Sequence, residues 1–311
     1  MANLTPKKTR IAIDGVLLLD KPVGFSSNDA LIKAKRLLNA KKGGHTGTLD
    51  PFATGLLPLC FGEATKFAKD LLDSDKTYDT VVHLGIVTST GDTEGEVTAT
   101  SKVNATRTQI EAVLPQFIGD IEQVPPMYSA LKRDGKPLYE YARAGITLER
   151  DARSITIHSI ELLDYQNPYL SLRVKCSKGT YIRVLGEDIG KVLGCGAHLH
   201  ALRRIQSGHL SIDQAHTMEK LEQLPESGRV AILGAADSLL TTFPAVMLTT
   251  ELAQRFLHGQ RLPLSKEGVA MPVEEGRVRV YRESDLQLLG TGNITSFGVL
   301  APERLVATPP T

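Results

Sequence analysis

A glycine-rich segment at residues 43–55 constrains the fold more than any other part of the chain. It holds four glycines and one proline in thirteen residues, a density that opposes any regular element. The segment also carries His45 and, five residues later, Asp50, which precedes Pro51. We therefore predict a shaped loop whose constrained backbone holds a carboxylate in a fixed place.

Strands and helices are predicted on both sides of this loop. The apolar run at Gly15–Asp20 ends at a proline and is typical of a buried strand. Ser26 or Ser27 can cap a helix that continues to Leu38. Further predicted helices are Thr106–Phe117, Pro137–Ala144 and Tyr181–Leu193, and further predicted strands are Lys76–Ile86, Ile155–Leu163 and Tyr169–Cys176. This interleaving indicates an α/β (α+β) protein with a mixed sheet and helices packed against it.

The pattern changes after Pro244, where short strands dominate. A helix is predicted at Glu251–His258, followed by strands at Arg277–Tyr281, Leu286–Leu289 and Gly298–Leu300. We therefore predict two domains, at residues 1–245 and 246–311, with a frayed tail at residues 309–311.

Bulk composition excludes several classes of protein. The chain has 311 residues, 41% of them hydrophobic, and this length and content are enough to bury a sizeable core. Its formal net charge is +1. The sequence has no run of about 18 apolar residues, so no membrane span is predicted. No signal peptide is indicated. Three widely spaced cysteines suggest neither a zinc site nor a dithiol switch. We expect a cytoplasmic protein without a metal.

Basic residues are concentrated in two blocks. Residues 1–50 hold nine Lys or Arg against four Asp, and residues 171–210 hold seven against two acidic residues, a net +5 in each. Residues 211–251 are acidic, with a net charge of −4. If both basic blocks lie on one face, they form a phosphate-binding surface, although charge alone favours ordinary solvated side chains.

The residues around Asp50 allow three chemical interpretations and one structural one. A phosphate-binding loop is disfavoured because the Gly-Lys-Ser/Thr ending is missing. An aspartyl-phosphate site is suggested by Thr46-Gly47-Thr48, but the aspartate of such sites would stand where this chain has Gly44. A carboxylate aimed at a sugar carbon is chemically reasonable. A lone Asp-Pro would otherwise be a turn.

A set of ordered motifs resembles the bacterial tRNA pseudouridine synthases of the TruB type. The strongest are Gly44-His-Thr-Gly-Thr-Leu-Asp-Pro51 and Ala53-Thr-Gly-Leu-Leu-Pro58. Others follow in family order: Leu18-Leu-Asp-Lys-Pro22, Gly62-Glu-Ala-Thr-Lys66, Lys76-Thr-Tyr78, Pro126-Met-Tyr-Ser-Ala-Leu-Lys132, Cys176-Ser-Lys-Gly-Thr-Tyr-Ile-Arg183, Gly194-Cys-Gly-Ala-His198 and Leu202-Arg-Arg204. The resemblance is dense over residues 12–210 and weaker beyond them.

The resemblance implies the pseudouridine synthase fold, with a largely antiparallel mixed sheet and a small β-rich PUA-like domain at the C-terminus. It implies isomerisation of uridine 55 in the T-loop of tRNA to pseudouridine, by base flipping and without a cofactor. Asp50 matches the family's catalytic aspartate, and Arg183 matches the arginine that pairs with it. An arginine stays charged when buried, so it can keep a desolvated carboxylate ionised.

The resemblance also assigns substrate contacts. Tyr78 matches the tyrosine that stacks on the flipped base and is a candidate for moving the sugar proton, so it is expected to be catalytic as well as substrate-binding. The other expected substrate-binding residues are His45, Tyr181, Leu202 and Lys21. Expected RNA backbone contacts are Lys41, Lys42, Lys132, Arg203 and Arg204. The expected partner is the T-loop and T-arm of tRNA, bound by a monomer.

Two other hypotheses stay open on sequence grounds. One is an RNA-binding or tRNA-folding protein in which catalysis is secondary. The other is a relative of the guide-RNA-dependent pseudouridine synthases, which share much of this motif set. The compact chain without a long basic tail favours a free-standing enzyme.

Overall fold

A computed structural model describes residues 9–272 and 274–307. Lys7 and Lys8 of the first basic block, and the predicted tail at residues 309–311, lie outside the described residues. None of the helices in the described part of the chain is long and apolar enough to cross a membrane.

Residues 9–123 alternate strands with short helices. The strands are β1 (Gly15–Lys21), β2 (Gly43–His45), β3 (Thr54–Phe61), β4 (Lys76–Leu84), β5 (Ile86–Thr88), β6 (Val97–Thr100) and β7 (Gly119–Gln123). The helices are α1 (Ser27–Leu37), α2 (Ala68–Leu72) and α3 (Arg107–Val113), with 3₁₀ turns at Gly62–Lys66 and Leu114–Phe117.

Residues 124–244 complete the main sheet. The strands are β8 (Lys132–Arg133), β9 (Lys136–Pro137), β10 (Arg153–Gln166), β11 (Tyr169–Cys176), β12 (Ala197–Ser207), β13 (Leu210–Ser211) and β14 (His216–Thr217). The helices are α4 (Leu138–Arg143), α5 (Ile182–Val192), α6 (Met218–Gln223) and α7 (Glu226–Ala231), with 3₁₀ turns at Ile212–Gln214 and Ala236–Leu240.

The main sheet is mixed and largely antiparallel, as predicted. Its strand order is β14-β1-β3-β12-β4-β11-β10-β7, with β2 paired to β3 and β13 paired to β12. The β1/β14 and β3/β12 pairs are parallel, and the other pairs are antiparallel. Helix α5 packs against β12, and its buried Ile182, Leu185 and Ile189 join the main core.

Helix α1 begins where its sequence predicts. The Ser26 hydroxyl accepts a hydrogen bond from the Asp29 amide and so caps the helix. Ala30, Leu31 and Ala34 are buried on the inner face of the helix, consistent with the predicted apolar spacing. The helix therefore fixes the position of the segment that follows it, which leads into β2 and Asp50.

Two central strands were not predicted. Strand β3 starts at Thr54, inside the segment that we expected to lack regular structure, and β2 occupies the other end of that segment. Residues 55–61 of β3 are all buried, so the strand has no polar alternation to mark it. Strand β12 also lacks regular alternation, since a bulge lies between Leu199 and Ala201.

A second, five-stranded sheet forms the C-terminal part. Its strands are β15 (Ala245–Leu248), β16 (Leu262–Pro263), β17 (Gly276–Arg282), β18 (Leu288–Ile294) and β19 (Val299–Leu305), in the order β15-β17-β18-β19-β16, with helix α8 (Thr250–Leu257) packed on it. The β-rich C-terminal domain was predicted, but the strand expected at residues 286–289 lies mainly further along the chain. A boundary before Ala245 keeps β15 whole, whereas the predicted boundary cuts it.

Polar contacts join the domain that contains the main sheet to the C-terminal domain. Arg277 of β17 pairs with Asp70 in the middle of α2 and, within its own sheet, with Glu303 of β19. Lys66 donates to the Leu305 carbonyl over 2.8 Å. The second sheet is thus anchored beside α2.

Candidate active site

The loop that carries Asp50, residues 46–53, is fixed by its neighbours. The buried Ser27 hydroxyl accepts from the Leu49 amide over 2.7 Å and donates to the Leu49 carbonyl over 3.0 Å. The Gly24 amide donates to the Pro51 carbonyl over 2.8 Å. Gly47 has φ of 107°, a conformation that favours glycine. The loop therefore presents Asp50 from a backbone tied to the start of α1.

Asp50 contacts Arg183, as the resemblance implied. Oδ2 of Asp50 lies 3.1 Å from Nη2 of Arg183, which stands in the first turn of α5. The Arg183 side chain is 4% exposed, whereas that of Asp50 is 35% exposed. The cation is thus enclosed by protein while the carboxylate stays open to a ligand.

Arg183 has a second acidic partner, Asp92, which the sequence analysis missed. Nη1 of Arg183 lies 3.4 Å from Oδ2 of Asp92, and it donates to the Thr90 carbonyl over 2.9 Å. Nη2 also donates to the Tyr128 carbonyl over 2.5 Å. The guanidinium is therefore held by fixed acceptors before any substrate binds.

Asp92 is itself buried and held in place. Its carboxylate accepts from the Thr90 hydroxyl and from the Glu94 amide, and the residue is 2% exposed. The available sequence signal was an aspartate beside Gly91 in the polar stretch before Asn104, which ordinary turns share.

Burial dominates the acid–base behaviour of Asp50. Removal from water raises the pKa of its carboxyl, the Arg183 cation opposes that rise, and the Asp92 carboxylate adds to it. Lys21 also lowers the pKa of Asp50, though by less than Arg183. At a given pH, a larger fraction of the Asp50 carboxyl is therefore protonated than in a solvated aspartate.

Lys21 lies beside this site but faces protein. Its Nζ donates to the carbonyls of Phe25 over 2.6 Å, Pro22 over 3.0 Å and Pro51 over 3.5 Å. The side chain is fully buried, and burial lowers its pKa to about 8. Its three donors hold the backbone on either side of the Asp50 loop, and the expectation that Lys21 binds the substrate directly stays a prediction.

Two tyrosines lie near Asp50. Tyr78 of β4 is half-buried, and burial raises the pKa of its phenol, while the Arg204 cation opposes the rise. Tyr181 precedes α5, and Gln123 bonds both its amide and its carbonyl. Burial also raises the pKa of Tyr181. The Asp50 carboxylate adds to both rises, so its charge acts on both phenols.

The remaining expected substrate contacts are apolar or unpartnered. Leu202 is 8% exposed and packs in the main core. His45 has a buried Nδ1 without a hydrogen-bond partner among the described residues. Burial lowers the pKa of His45, and the Arg204 cation lowers it further. A neutral imidazole at the entrance of the loop is consistent with contact to an uncharged base.

The expected RNA backbone contacts fall into two groups. Lys41, Lys42 and Lys132 are exposed, and the first two directly precede β2. Arg203 is half-exposed but forms a bidentate pair with Asp20, at 2.7 and 3.0 Å. Arg204 is 1% exposed and donates to the Leu56 carbonyl. Its expected contact with an RNA phosphate stays a prediction, which this burial does not support.

No group of three or more His, Cys, Asp or Glu side chains within residues 9–272 and 274–307 could hold a metal ion. The Asp92 carboxylate adds to the rise that burial causes in the pKa of both Asp50 and Glu94, and the cations of Arg183 and Lys21 oppose it. The arrangement can place one carboxylate, two phenols and a fixed guanidinium around an uncharged ring.

Family models cover nearly the whole chain. The TruB family pseudouridylate synthase N-terminal domain matches residues 35–182. The tRNA pseudouridylate synthase B C-terminal domain matches residues 183–235. The C-terminal domain of pseudouridine synthase II TruB matches residues 244–306, which include all of β15.

Solved structures with the same fold include a Cbf5-Nop10-Gar1 complex, whose matching chain is 26% identical with a TM-score of 0.69, over 94% of this chain and 84% of that one. An H/ACA RNP bound to a substrate RNA containing 2′-deoxyuridine gives 25% identity and a TM-score of 0.69, over 95% and 85%.

Curated relatives are much more similar in sequence. The tRNA pseudouridine synthase B of Burkholderia mallei (strain ATCC 23344) is 59% identical over 97% of both chains. That of Ralstonia pickettii (strain 12J) is 60% identical over 96% of both chains. Identity at this level along almost the full length, with all three models matched in order, means that the chain belongs to the TruB family of pseudouridine synthases.

Proposed function

We propose that this chain converts uridine 55 in the T-loop of tRNA into pseudouridine, with Asp50 as the catalytic carboxylate. The observation that carries the proposal is the contact between Asp50 and Arg183, in which the cation is enclosed and the carboxylate is open. Family membership and the names of the relatives support tRNA as the substrate.

The reaction is an isomerisation, so it balances without a cofactor. The bond between N1 of uracil and C1′ of ribose breaks, and a bond between C5 and C1′ forms. The C5 proton leaves to solvent and N1 gains a proton. Asp50 either adds to C1′ and later leaves, or assists loss of the C2′ proton to give a glycal. Both routes need Asp50 ionised beside the sugar, and Arg183 supplies the compensating charge.

The substrate uridine must leave its stack to reach Asp50, because C1′ is not accessible inside folded RNA. Tyr78 stacks on the extruded base and is the candidate for moving the sugar proton. Tyr181 hydrogen-bonds to the substrate, Leu202 forms an apolar wall, and His45 fills the space that the base vacates. The effect of the Asp50 charge on the pKa of both phenols supports the Tyr78 and Tyr181 assignments.

Recognition rests on phosphate contacts and on the shape of the T-arm. Lys41, Lys42 and Lys132 are the cations proposed to contact the RNA backbone, because they are exposed. Arg203 is a weaker candidate, since Asp20 already occupies its guanidinium.

A free-standing enzyme is favoured over a guide-RNA-dependent relative. The chain is about 60% identical to tRNA pseudouridine synthase B proteins but 26% identical to the Cbf5 structure. A tRNA-folding activity can coexist with catalysis, and it would survive the loss of Asp50.

Incubation of the purified chain with an unmodified tRNA transcript tests the proposal. We expect one pseudouridine, at position 55, in the absence of added guide RNA and in the presence of a chelator. A transcript with cytidine at that position serves as the control and should stay unmodified. Modification only on addition of a guide RNA, or at a position outside the T-loop, would contradict the proposal.

A further inference from the structure

A small cavity beside the β8/β9 hairpin is lined mainly by cations. Its volume is about 110 Å³, well below the roughly 300–1,000 Å³ of sites that enclose a whole small molecule. Its charged lining residues are the cations Lys132, Arg133, Arg150 and Arg153 and the carboxylates Glu149 and Asp151. The lining therefore carries an excess of two positive charges, and the cavity has room for one small anionic group.

The cations of this cavity are not neutralised by ion pairs. Within residues 9–272 and 274–307, none of the four lies at ion-pair distance from a carboxylate. By contrast, Arg173 and Arg203 each form a bidentate pair with an aspartate. Cations that share a cavity repel one another, and an anion from outside the chain relieves that repulsion.

Arg150 offers donors that are already oriented. The residue is half-buried, its Nε donates to the Pro125 carbonyl over 3.0 Å, and its Nη1 donates to the Leu148 carbonyl over 2.8 Å. A guanidinium has five donors, and in the described part of the chain Nη2 of Arg150 forms no hydrogen bond. Two carbonyls thus hold the plane of the guanidinium while its other donors stay available. An arginine held in this way can bind a phosphate with little further loss of side-chain freedom.

The cavity lies close to a residue that is proposed to bind the uridine. Arg153 begins β10 and lies opposite Gln123 of β7. The Gln123 side chain donates to the Tyr181 carbonyl over 3.0 Å and accepts from the Tyr181 amide over 2.7 Å. Burial raises the pKa of the Tyr181 phenol, and the Arg153 cation opposes that rise. One strand pair therefore separates the cavity from Tyr181.

We propose that Lys132, Arg133, Arg150 and Arg153 form a phosphate pocket, which binds one phosphodiester of the substrate RNA next to the extruded uridine. A nucleotide that leaves its stack rotates about its own backbone, so a bound neighbouring phosphate holds the strand in the extruded geometry. The inference deepens the proposed function and rests on it for the identity of the RNA. The phosphate pocket can be tested by binding alone, without any turnover.

The salt dependence of RNA binding gives the first measurement. Arg133→Gln/Arg153→Gln removes two exposed charges of the phosphate pocket and leaves Arg150, which holds the backbone, in place. We expect weaker binding of a T-arm RNA and a slope of log Kd against log salt that is reduced by about one unit per arginine. Lys102→Gln/Arg107→Gln removes the same charge elsewhere and should leave the slope unchanged. Equal slopes for the two double variants would overturn the proposal.

The second measurement locates the phosphate. T-arm RNAs are made in which one phosphate at a time is replaced by an uncharged methylphosphonate beside a 2′-deoxy sugar, and the RNA with the deoxy sugar alone is the reference. We expect the wild type to lose about tenfold in affinity at a phosphate that flanks uridine 55, since a charge-assisted hydrogen bond is lost. Arg133→Gln/Arg153→Gln should lose much less at that position and as much as the wild type at the others.

The comparison separates this proposal from the proposed function. A wild type that binds T-arm RNA, with the same loss as the double variant at every phosphate, would overturn the phosphate pocket alone. A wild type that binds no T-arm RNA would overturn both proposals. If Arg133→Gln/Arg153→Gln does not fold, Arg153→Gln alone gives the same comparison, with a change in slope of about one unit.

Discussion

The buried carboxylate of Asp92 lies 3.4 Å from Nη1 of Arg183, while Asp50 binds the other terminal nitrogen of the same guanidinium. One cation is therefore shared between a carboxylate that is open to a ligand and one that is enclosed. The enclosed partner fixes the direction of the guanidinium, and the guanidinium fixes Asp50.

Replacement of Asp92 should therefore impair turnover although it does not touch the substrate. We expect Asp92→Asn to lower the single-turnover rate by about tenfold or more, since hydrogen bonds to charged groups are worth about 1.5–3 kcal/mol. Asp188→Asn is the control, because Asp188 lies one turn further along α5 and pairs with Lys191. Equal rates for Asp92→Asn and the control would show that Asp92 does not position Arg183.

The rate should fall on the acid side of its pH profile at a higher pH than the pKa of a solvated aspartate would give. Burial raises the pKa of Asp50, and the ionised form is the active one, so activity is lost as pH falls through this raised value. Asp92 adds to the rise, so Asp92→Asn should move the acid limb to lower pH. Single-turnover rates across pH measure both. An acid limb that moves to higher pH in Asp92→Asn would be inconsistent with the charge arrangement.

Lys21 should couple stability to pH near the alkaline end. Its pKa in the folded chain is lowered to about 8, so above that pH the unfolded chain binds more protons at this residue than the folded chain does. The contribution of Lys21 to the free energy of unfolding therefore rises with pH. In Lys21→Met this rise should be absent. Thermal unfolding between pH 7 and pH 10 checks the difference, and identical pH profiles for the two proteins would refute the assignment.

Lys21→Met should also loosen the backbone that it holds. The carbonyls of Phe25 and Pro51 lose their charged donor, so amide hydrogen exchange should accelerate at residues 23–26, 49–50 and 52–53. Exchange that stays at the wild-type rate would mean that other contacts fix the loop.

Lys41 and Lys42 are predicted to contribute to RNA binding through phosphates. The Lys41→Gln/Lys42→Gln double variant should weaken tRNA binding and reduce the slope of log Kd against log salt by about one unit per lysine. Lys102→Gln/Arg107→Gln removes the same charge from two exposed positions, one between β6 and α3 and one at the first residue of α3, and serves as the control. A salt slope equal to that of the wild type would remove both lysines from the interface.

Much of the fold was predictable where local chemistry marks an element. Ser26 caps α1, and alternation along β4 marks a half-buried strand. Strand β3 escaped prediction because seven consecutive buried residues carry no alternation, and because Gly55 and Pro58 look like turn residues. Burial on both faces of a central strand removes the periodic signal on which sequence interpretation depends.

The site was predictable only in part, for a similar reason. Asp50 and Arg183 stand in distinctive motifs, and the structure places them in contact. Asp92 contacts Arg183, which is 91 positions away in sequence, and Arg204 contacts Gly47, which is 157 positions away. Nothing local indicates that Arg204 faces inward while Arg203 faces outward, since this depends on the pairing of β12 with β3 and β4.

The most direct test of the account compares wild type with Asp50→Asn on the same unmodified tRNA. Pseudouridine formation and the Kd for tRNA are measured together, because Asp50 is proposed to act in the chemical step while other residues bind the RNA. The predicted result is a loss of pseudouridine formation at position 55 with a Kd close to that of the wild type. Asp50→Asn that forms pseudouridine at a near-normal rate would contradict it.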